Sequence, residues 1–459
     1  MKRINILIIV LLILKSSSLS IDKMNLQNND GQNAIHFFTV GTSDSILIEA
    51  NGHYGLVDSA NPYQFIEHEV EHVQIDESIG ERNQWDSNPD KSVQAVINYF
   101  NYLKIDKLDF IIGTHAHSDH IGGIPALAYY FVDQNTKYYY REYRKTREET
   151  TNIDWANHKY YLAAYHSMQI KGANMIDVTN QNIQFDFGDL HFELLNTDID
   201  PDELNLGENQ NSIVALITFR NTKILLAADM IAKDDQKLKD YVGKIDILKL
   251  AHHGYSESSY DFLKTTQPNY VVISNDHIPN YANQLINYLK YSLHSKIYFT
   301  EYISKSSQSI PNSAIKLILK NEPSEFEFIN TGKELEPDYS FSGWSSWYDK
   351  WTYLESGITV KGFKNLDWTG GKDWFYFDED GIMLVEWQEL NYFGELKWFY
   401  FDKINGNMLT GFQELEWTGG KNWFYFYPST GYMAQNCCIT IDGKEYCFDK
   451  NGCLIEEII

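Results

Sequence analysis

The residues most able to do chemistry are concentrated in one hexapeptide. His115, His117, Asp119 and His120 lie within six positions, directly after the apolar run 108–113. Imidazole and carboxylate groups at this density are typical ligands for Zn²⁺, with Mn²⁺ or Fe as alternatives. Because alternate residues of an extended segment face one side, His115 and His117 can bind one ion. Asp119 and His120, beyond the bend, can then face a second ion.

Two further strand ends carry side chains of the same types. One apolar strand ends in Asp229, and another ends in His252-His253, with His277 following His253 by 24 residues. A carboxylate at the end of a buried strand is costly unless it is paired or bound to metal. We therefore expect these residues to converge on the hexapeptide. Because alternate residues of a strand point to opposite faces, we expect only one of His252 and His253 to bind metal.

The elements around these residues predict a layered α+β fold. Strand-like runs, such as 45–50 and 246–251, alternate with helical stretches, such as 92–105 and 124–131. Many strands with helices outside them favour an αββα sandwich over a doubly wound parallel sheet. Neither GxGxxG nor GxxxxGK[ST] occurs, which excludes nucleotide-loop folds. The Tyr-rich segment 129–165 either covers the site, with Tyr138–Tyr140 and Arg141 on a head group, or is a surface insertion.

The same residues resemble the metallo-β-lactamase superfamily, over about residues 34–320. His115-x-His117-x-Asp119-His120 is similar to its signature loop, Asp58 to the aspartate that buttresses this loop, and Asp229 to its bridging carboxylate. Segments 36–48 and 250–254 resemble a subgroup that contains DNA-uptake channel proteins and phosphorylcholine esterases. The family's third-motif histidine has no match, and Asn211-Ser212 stand about where it would be.

The resemblance implies a centre of two divalent ions, taken as Zn²⁺. The first ion would be bound by His115, His117 and one of His252 and His253. The second ion would be bound by Asp119, His120 and His277. Asp229 would bridge the ions, and a water activated by both would be the nucleophile, with Asp119 and Asp229 as the catalytic carboxylates.

The last 118 residues repeat a short aromatic pattern. Trp-Phe-Tyr-Phe begins at Trp374, Trp398 and Trp423, spaced by 24 and 25 residues, in about five units. A hairpin of this length cannot bury its own face, so the repeat predicts a β-hairpin solenoid. The units are similar to choline-binding and cell-wall-binding repeats, which implies choline or glycan at a cell surface as ligand. The rings expected to contact it are Trp344, Trp351, Trp374, Tyr376, Trp387, Trp398, Tyr400, Trp423 and Tyr425. The alternative is that these rings only form the solenoid core.

The N-terminus and the cysteines indicate an exported protein. Residues 1–20 have a basic start, an apolar run and small residues, the layout of a secretory signal peptide, with an uncleaved anchor as the alternative. No other stretch is long and apolar enough to span a bilayer. Cys437, Cys438, Cys447 and Cys453 all lie in the last unit, where export favours one or two disulfides in one of three pairings.

These features divide the chain into a signal peptide (1–20), a catalytic domain (34–325), a linker (326–341) and repeats (342–459). The net charge of −25 repels polyanions and disfavours nucleic acid as a partner. The first hypothesis is a secreted phosphodiesterase that acts on phosphorylcholine-type esters at a cell surface. The alternatives are a secreted metal-dependent nuclease, aided by the basic patch 137–147, and a surface-binding protein with a vestigial site.

Overall fold

The fold is an αββα sandwich followed by a row of β-hairpins, as predicted. The computed structural model describes residues 32–61, 92–143, 152–198, 207–255, 258–275, 283–300, 314–320, 326–329, 333–334, 342–347, 350–368, 371–418 and 420–458. The predicted signal peptide lies outside these residues. None of the helices within them has both the length and the hydropathy needed to cross a bilayer.

Each half of the sandwich is an eight-stranded sheet. The first sheet contains β1 (Asn33–Phe38), β2 (Ser45–Ala50), β3 (His53–Ser59), β4 (Phe110–Gly113), β5 (Lys137–Tyr140), β6 (Asn174–Asp177), β14 (Ala314–Leu319) and β15 (Phe326–Ile329). The second contains β7 (Ile183–Phe187), β8 (Leu190–Leu195), β9 (Val214–Phe219), β10 (Thr222–Leu226), β11 (Ile247–Lys249), β12 (Tyr270–Ile273), β13 (Lys296–Phe299) and β16 (Lys333–Glu334). Their orders are β15-β14-β1-β2-β3-β4-β5-β6 and β16-β13-β12-β11-β10-β9-β8-β7.

The parallel strands of both sheets determine where a site can form. Strands β3 to β6 are mutually parallel, and so are β10 to β13. In open sheets of this kind, ligands bind beyond the carboxyl ends of the parallel strands. The loops after β3, β4, β10, β11 and β12 therefore meet at one edge of the sandwich.

Alternation along the strands divides the apolar side chains between an inner core and two outer cores. In β2, Ile46 and Ile48 pack between the sheets, whereas Leu47 packs against helices. In β10, Ile224 packs between the sheets and Leu225 against the helices of the second sheet. Strands with two apolar faces are what a buried layer requires.

Helices cover both outer faces. The first sheet is covered by α1 (Ser92–Leu103), the single turn α2 (Ser118–Ile121), α3 (Ile124–Phe131) and α4 (Asn152–Ile170). The second is covered by α5 (Ala232–Val242), α6 (Tyr260–Thr266) and α7 (Asn283–Asn287), which continues as a π-helical turn, Tyr288–Ser292. Sequence reasoning missed α4, because its tyrosines, amides and charges leave no continuous apolar stripe for a pattern to detect.

Two regions differ from their predictions. Tyr138 and Tyr139 belong to β5 inside the first sheet and are 1% and 3% exposed. Arg141 is buried and donates to the carbonyl oxygens of Asn196 and Asp198. These residues therefore neither contact a head group nor form a surface insertion, because aromatic residues favour strands and burial. The predicted linker 326–341 begins with β15 and β16, which pair with β14 and β13.

The C-terminal part is a succession of antiparallel hairpins. Its strands are β17 (Gly343–Trp347), β18 (Lys350–Glu355), β19 (Ile358–Thr359), β20 (Gly362–Trp368), β21 (Gly371–Phe377), β22 (Glu386–Tyr392), β23 (Glu395–Phe401), β24 (Gly411–Trp417), β25 (Gly420–Phe426), β26 (Cys437–Ile441), β27 (Lys444–Phe448) and β28 (Leu454–Ile458). Backbone conformation and close packing both explain why glycine recurs in these units. Gly406 and Gly431 adopt φ of +74° and +80°, and a Cβ on either would lie 2.2 Å from a methionine of the preceding unit.

A disulfide holds the last hairpin. Cys438 and Cys447 face each other across β26 and β27 and are bonded. Cys437 and Cys453 are free thiols. The structure therefore completes none of the three possible two-bond pairings. It contains one disulfide, between the two cysteines that lie directly opposite each other.

Candidate metal centre and repeat aromatics

The loop after β4 brings four of the predicted ligands to the carboxyl edge of the first sheet. His117 has extended backbone, at φ −84° and ψ 149°, and its Nδ1 is 3.0 Å from Nε2 of His115. Helix α2 then turns the chain at once. Asp119 and His120 consequently approach the same volume from a different direction, as part of a one-turn helix rather than a strand.

Asp229 lies between these side chains. It follows β10 at a turn where Ala228 has a φ of +46°. Its Oδ2 is 3.2 Å from Nε2 of His120 and 3.8 Å from Nε2 of His115. Its Oδ1 is 3.5 Å from Nε2 of His253. One carboxylate therefore contacts imidazoles from three positions in the chain.

The His252-His253 pair does not continue strand β11. β11 ends at Lys249, and both histidines have left-handed backbone, with φ of +46° and +52°. Strand alternation therefore does not apply as a reason for expecting only one of the two rings at the centre, and which ring binds metal stays a prediction. Nε2 of His252 lies 3.9 Å from Oδ2 of Asp229, whereas His253 contacts Asp119 and Asp229. Left-handed backbone at two consecutive non-glycine residues is strained, a feature that concentrates at functional sites.

The ligand atoms fall into two adjacent groups that share Asp229. In each group the atoms lie within 4.8 Å of one another. One group consists of His115, His117 and Asp229, and the other of Asp119, His120, Asp229 and His253. The second group thus contains His253, where the resemblance implied His277. His277 lies outside the described residues.

Three atoms of the second group have no hydrogen-bond partner among the described residues. They are Nε2 of His120, Nε2 of His253 and Oδ1 of Asp229, and each is fully shielded from solvent. A buried polar atom without a partner is destabilising, so such atoms are rare in native proteins. Here they converge with Asp119. Imidazole nitrogens and carboxylate oxygens that converge without internal partners fit a divalent cation such as Zn²⁺.

Neighbouring acceptors fix the orientation of both rings. His120 Nδ1 is 2.7 Å from Oδ2 of Asp58, and Asp58 also accepts hydrogen bonds from the amide and hydroxyl of Thr114. His253 Nδ1 is 3.0 Å from the carbonyl oxygen of Ser274, to which it can only donate. A proton on each Nδ1 leaves Nε2 as a lone pair that faces the group. This is the arrangement that metal-ligating histidines adopt.

The electrostatics of the centre favour a cation. Burial lowers the pKa of His115 and of His117. Burial acts in the same direction on His120, but Asp229, Asp58 and Asp119 outweigh it and hold the His120 pKa well above its usual value. Burial raises the pKa of Asp58, because a buried carboxylate loses hydration. The surrounding carboxylates thus favour positive charge at this position.

Sequence reasoning missed three groups that surround the ligands. Ser212, where a third-motif histidine would be, places its hydroxyl 3.4 Å from Nδ1 of His115 and accepts a hydrogen bond from the amide of Asp229. Asp44 and Lys249 form a buried ion pair beneath the second group. A lysine inside the apolar run 247–251 was the one available sign of that pair.

The repeat aromatics occur in two arrangements. Trp344 and Trp387 are central to two clusters, and each contacts five other rings at centroid distances of 4.7–6.3 Å. Their indole N–H groups donate to the carbonyl oxygens of Asp367 and Glu416. Trp351 and Trp398 belong to these clusters. Tyr376 and Tyr425 pack on the phenylalanines Phe363 and Phe412 instead, and Tyr400 packs on Trp387.

Two tryptophans stand apart from these clusters. Trp374 and Trp423 are 46% and 47% exposed and lie in the units that carry Phe363 and Phe412 in place of a tryptophan. The array therefore alternates between interfaces filled by tryptophan and interfaces beside which a tryptophan is exposed. The predicted ligand aromatics are thus not equivalent.

Comparison with known proteins is consistent with this geometry. The family model of the metallo-β-lactamase superfamily matches residues 38–277, more than half of the chain. The chain belongs to this superfamily, whose members are metal-dependent hydrolases. A curated relative, Recombination protein 2 of Haemophilus influenzae, is 31% identical over 86 residues. That match covers 18% of this chain and spans one tenth of the relative's length.

Solved structures are also similar to parts of this chain. YhfI from Bacillus subtilis, a metallo-β-lactamase fold protein, covers 59% of this chain and 97% of its own, at 13% identity and a TM-score of 0.36. CbpJ from Streptococcus pneumoniae covers 34% of this chain, at 24% identity and a TM-score of 0.21. The chain spans about half of CbpJ, 55% of its length.

Proposed function

We propose that the protein is a secreted hydrolase with two divalent metal ions, most simply Zn²⁺, and that it cleaves phosphodiesters. The observation that carries this proposal is the convergence of buried ligand atoms on Asp229 from two sides. His115, His117 and Asp229 would hold one ion. Asp119, His120, Asp229 and His253 would hold the other. His252 and His277 complete the set of ligands that the resemblance implies.

The exposure of the ligand side chains indicates from which side a substrate would reach the centre. The side chains of Asp119 and His252 are each 27% exposed, whereas those of His120 and Asp229 are 0% and 1% exposed. Among the described ligands, a substrate would therefore approach from the side of the partly exposed His117, Asp119 and His252. Bound ions would supply Lewis-acid polarisation of the phosphoryl oxygen and acidify a water molecule. Asp58 would hold the Nδ1 proton of His120 throughout.

The proposed substrate is a small ester with a cationic group, of the phosphorylcholine type. A chain with a net charge of −25 repels a polyanion but attracts a cation over the same distance. The basic patch that would have favoured a nuclease is weakened, because the Arg141 guanidinium is committed to two backbone carbonyls. The resemblance to phosphorylcholine esterases supports the same class.

The repeats would hold the enzyme at a cell surface that displays choline or glycan. Trp374 and Trp423 support this role, since exposed indole faces attract quaternary ammonium groups and stack on sugar rings. Export through a signal peptide at residues 1–20, followed by cell-surface attachment, belongs to the same proposal. So does the division into a catalytic domain, which begins at 34 and includes β15 and β16, and repeats at 342–459.

The test is a parallel assay of three substrates with zinc-loaded protein. We expect turnover of p-nitrophenyl-phosphorylcholine to exceed that of bis-p-nitrophenyl phosphate and of DNA, and to disappear in Asp119→Ala. Asp109→Ala is the matched control, since Asp109 also contacts a histidine, His53, but at the surface and away from the centre. DNA as the best substrate would favour the nuclease. Metal binding without any turnover would favour a surface-binding protein with a vestigial site.

A further inference from the structure

A buried ion pair lies beneath the second group of ligands. Lys249 is the last residue of β11 and is 0% exposed, and its ammonium contacts Oδ2 of Asp44, which is 1% exposed. Lys249 also donates to the carbonyl oxygen of Ala228, the residue before Asp229. A buried charge pair of this kind is often no more stabilising than apolar residues of the same shape. Its position therefore calls for an explanation other than stability.

Asp44 contacts every chain segment that supplies the second group except the one that carries Asp229. Its amide donates to the carbonyl oxygen of Asp119 at 3.0 Å. Its Oδ2 is 3.9 Å from Nδ1 of His120, and its Oδ1 is 3.7 Å from Nδ1 of His253. Lys249 supplies the missing link, because it joins Asp44 to the turn before Asp229. Through the pair, all four ligand positions are connected.

The first group has no comparable support from this pair. His115 and His117 are positioned by each other and by Thr114 and Ser212. The described contacts of Asp44 and Lys249 include neither histidine. An effect of the pair should therefore fall mainly on the second ion, because the first group shares only Asp229 with the second.

We infer that Asp44 and Lys249 are positioning residues that hold Asp119, His120, Asp229 and His253 in the geometry that binds the second ion. The inference rests on the proposed metal centre. Outer groups of this kind typically change metal affinity about 10–100-fold when they are removed. The pair would act by holding the ligands in place, without contact to the substrate or the ions.

The double variant Asp44→Asn/Lys249→Met carries the test. Asparagine and methionine retain the approximate shapes of the two side chains and leave no unpaired charge in the interior, so we expect the metal-free variant to unfold at a temperature near that of the wild type. Apo protein is titrated with Zn²⁺ against a chromogenic chelator, and zinc per chain is measured after dialysis at fixed free Zn²⁺. We expect two ions in the wild type, and in the variant one ion weakened about 10–100-fold and the other, which shares only Asp229 with the pair's contacts, weakened much less.

Two further variants make the outcome specific. Glu49→Gln/Lys316→Met removes another buried contact between a carboxylate and a lysine, 3.4 Å apart, that touches none of the ligands, and it should bind both ions normally. Asp44→Glu keeps the charge but moves the carboxylate by one methylene, and it should weaken the second ion even if the double variant does not fold. Two ions of unchanged affinity in both Asp44 variants would overturn the inference. Absence of zinc from the wild type would instead overturn the proposed metal centre.

Discussion

The metal centre and the aromatic array are both dense in the residue types that bind ligands, but they differ in how far the chain satisfies those residues itself. In the centre, buried atoms of His120, His253 and Asp229 have no hydrogen-bond partner among the described residues. In the array, Trp344 and Trp387 are surrounded by other rings, and their N–H groups are bonded. Density of residue type is the same signal in both regions, but the centre brings several unpartnered ligand atoms together, whereas the array has single ones, such as Nε1 of Trp368.

This difference separates a site from a core. A polar atom that is buried without a partner is destabilising, so its presence is explained by a ligand. A tryptophan that packs edge-to-face on its neighbours already gains what packing offers, and it needs no ligand to account for it. By this criterion, we predict that the exposed Trp374 and Trp423, rather than the clustered tryptophans, are the array's binding residues.

The largest expected effect is the loss of the carboxylate common to both groups. Asp229→Ala should abolish binding of both zinc ions and lower kcat by at least about 10³-fold, because metal ions contribute several kcal/mol of transition-state stabilisation. Elemental analysis and the phosphodiesterase assay measure the two effects. Glu49→Gln, at a buried carboxylate far from the centre, should retain both ions. If the Asp229→Ala protein still bound zinc and was active, the centre would not depend on the shared carboxylate, and its contrast with the array would be wrong.

The next largest effect is expected at the interfaces of the array that are filled by tryptophan. Trp387→Ala removes a ring that contacts five others, and it should lower the free energy of unfolding of the repeats by about 3 kcal/mol. The same substitution at Trp423, which is half exposed, should change it by less than about 0.5 kcal/mol. Chemical denaturation of the full chain, followed by circular dichroism, measures both. Equal destabilisation by the two substitutions would show that the two kinds of interface do not differ.

The contrast also explains how much could be predicted from the sequence. The sandwich and the hairpin repeats follow from local patterns, namely strand and helix periodicity and a recurring Trp-Phe-Tyr-Phe. The loop 115–120 was equally visible, because its ligands are neighbours in the chain. These signals are local, so no knowledge of distant contacts was needed.

What could not be predicted depends on conformation or on distant contacts. The directions in which the His252 and His253 rings point depend on left-handed backbone, which the residue types at those positions do not predict. Asp44 and Lys249 are 205 residues apart, so their pairing is visible only in the folded chain. Helix α4 and strand β5 share a Tyr-rich composition that indicates neither structure clearly. The role of each tryptophan likewise depends on which neighbour fills the next interface.

A smaller effect is expected at the exposed tryptophans. Trp374→Ala should weaken retention of the full chain on a choline resin by about fivefold, or about 1 kcal/mol, the size of a partly exposed cation–π contact. Stability should not change. Phe393→Ala is the control, since Phe393 is 93% exposed at a hairpin tip. If Trp387→Ala abolishes retention in a folded protein while Trp374→Ala does not, the filled clusters are the binding sites and the distinction proposed above is wrong.

The smallest effect concerns a buried carboxylate that the chain does satisfy. Asp235, six residues after Asp229, accepts hydrogen bonds from the amide and hydroxyl of Ser259, both at 2.6 Å. Burial nevertheless raises its pKa to about 7, since the hydrogen bonds only partly offset the lost hydration. This pKa is above the unfolded value near 4. The contribution of protonated Asp235 to the free energy of unfolding is therefore complete below pH 4 and is lost as the pH rises through 7.

Asp235→Asn should therefore remove part of the pH dependence. Between pH 6 and pH 8, the melting temperature of the metal-free wild type should fall relative to that of the variant by about 2 °C, the shift expected for about one pKa unit, or about 1.4 kcal/mol, in a domain of this size. Thermal unfolding at the two pH values gives the difference directly. Zinc stoichiometry should stay at the wild-type value, because Asp235 is satisfied by Ser259 and offers no lone pair to the centre. An unchanged pH profile would mean that those hydrogen bonds fully replace water, and loss of zinc would mean that Asp235 belongs with Asp229.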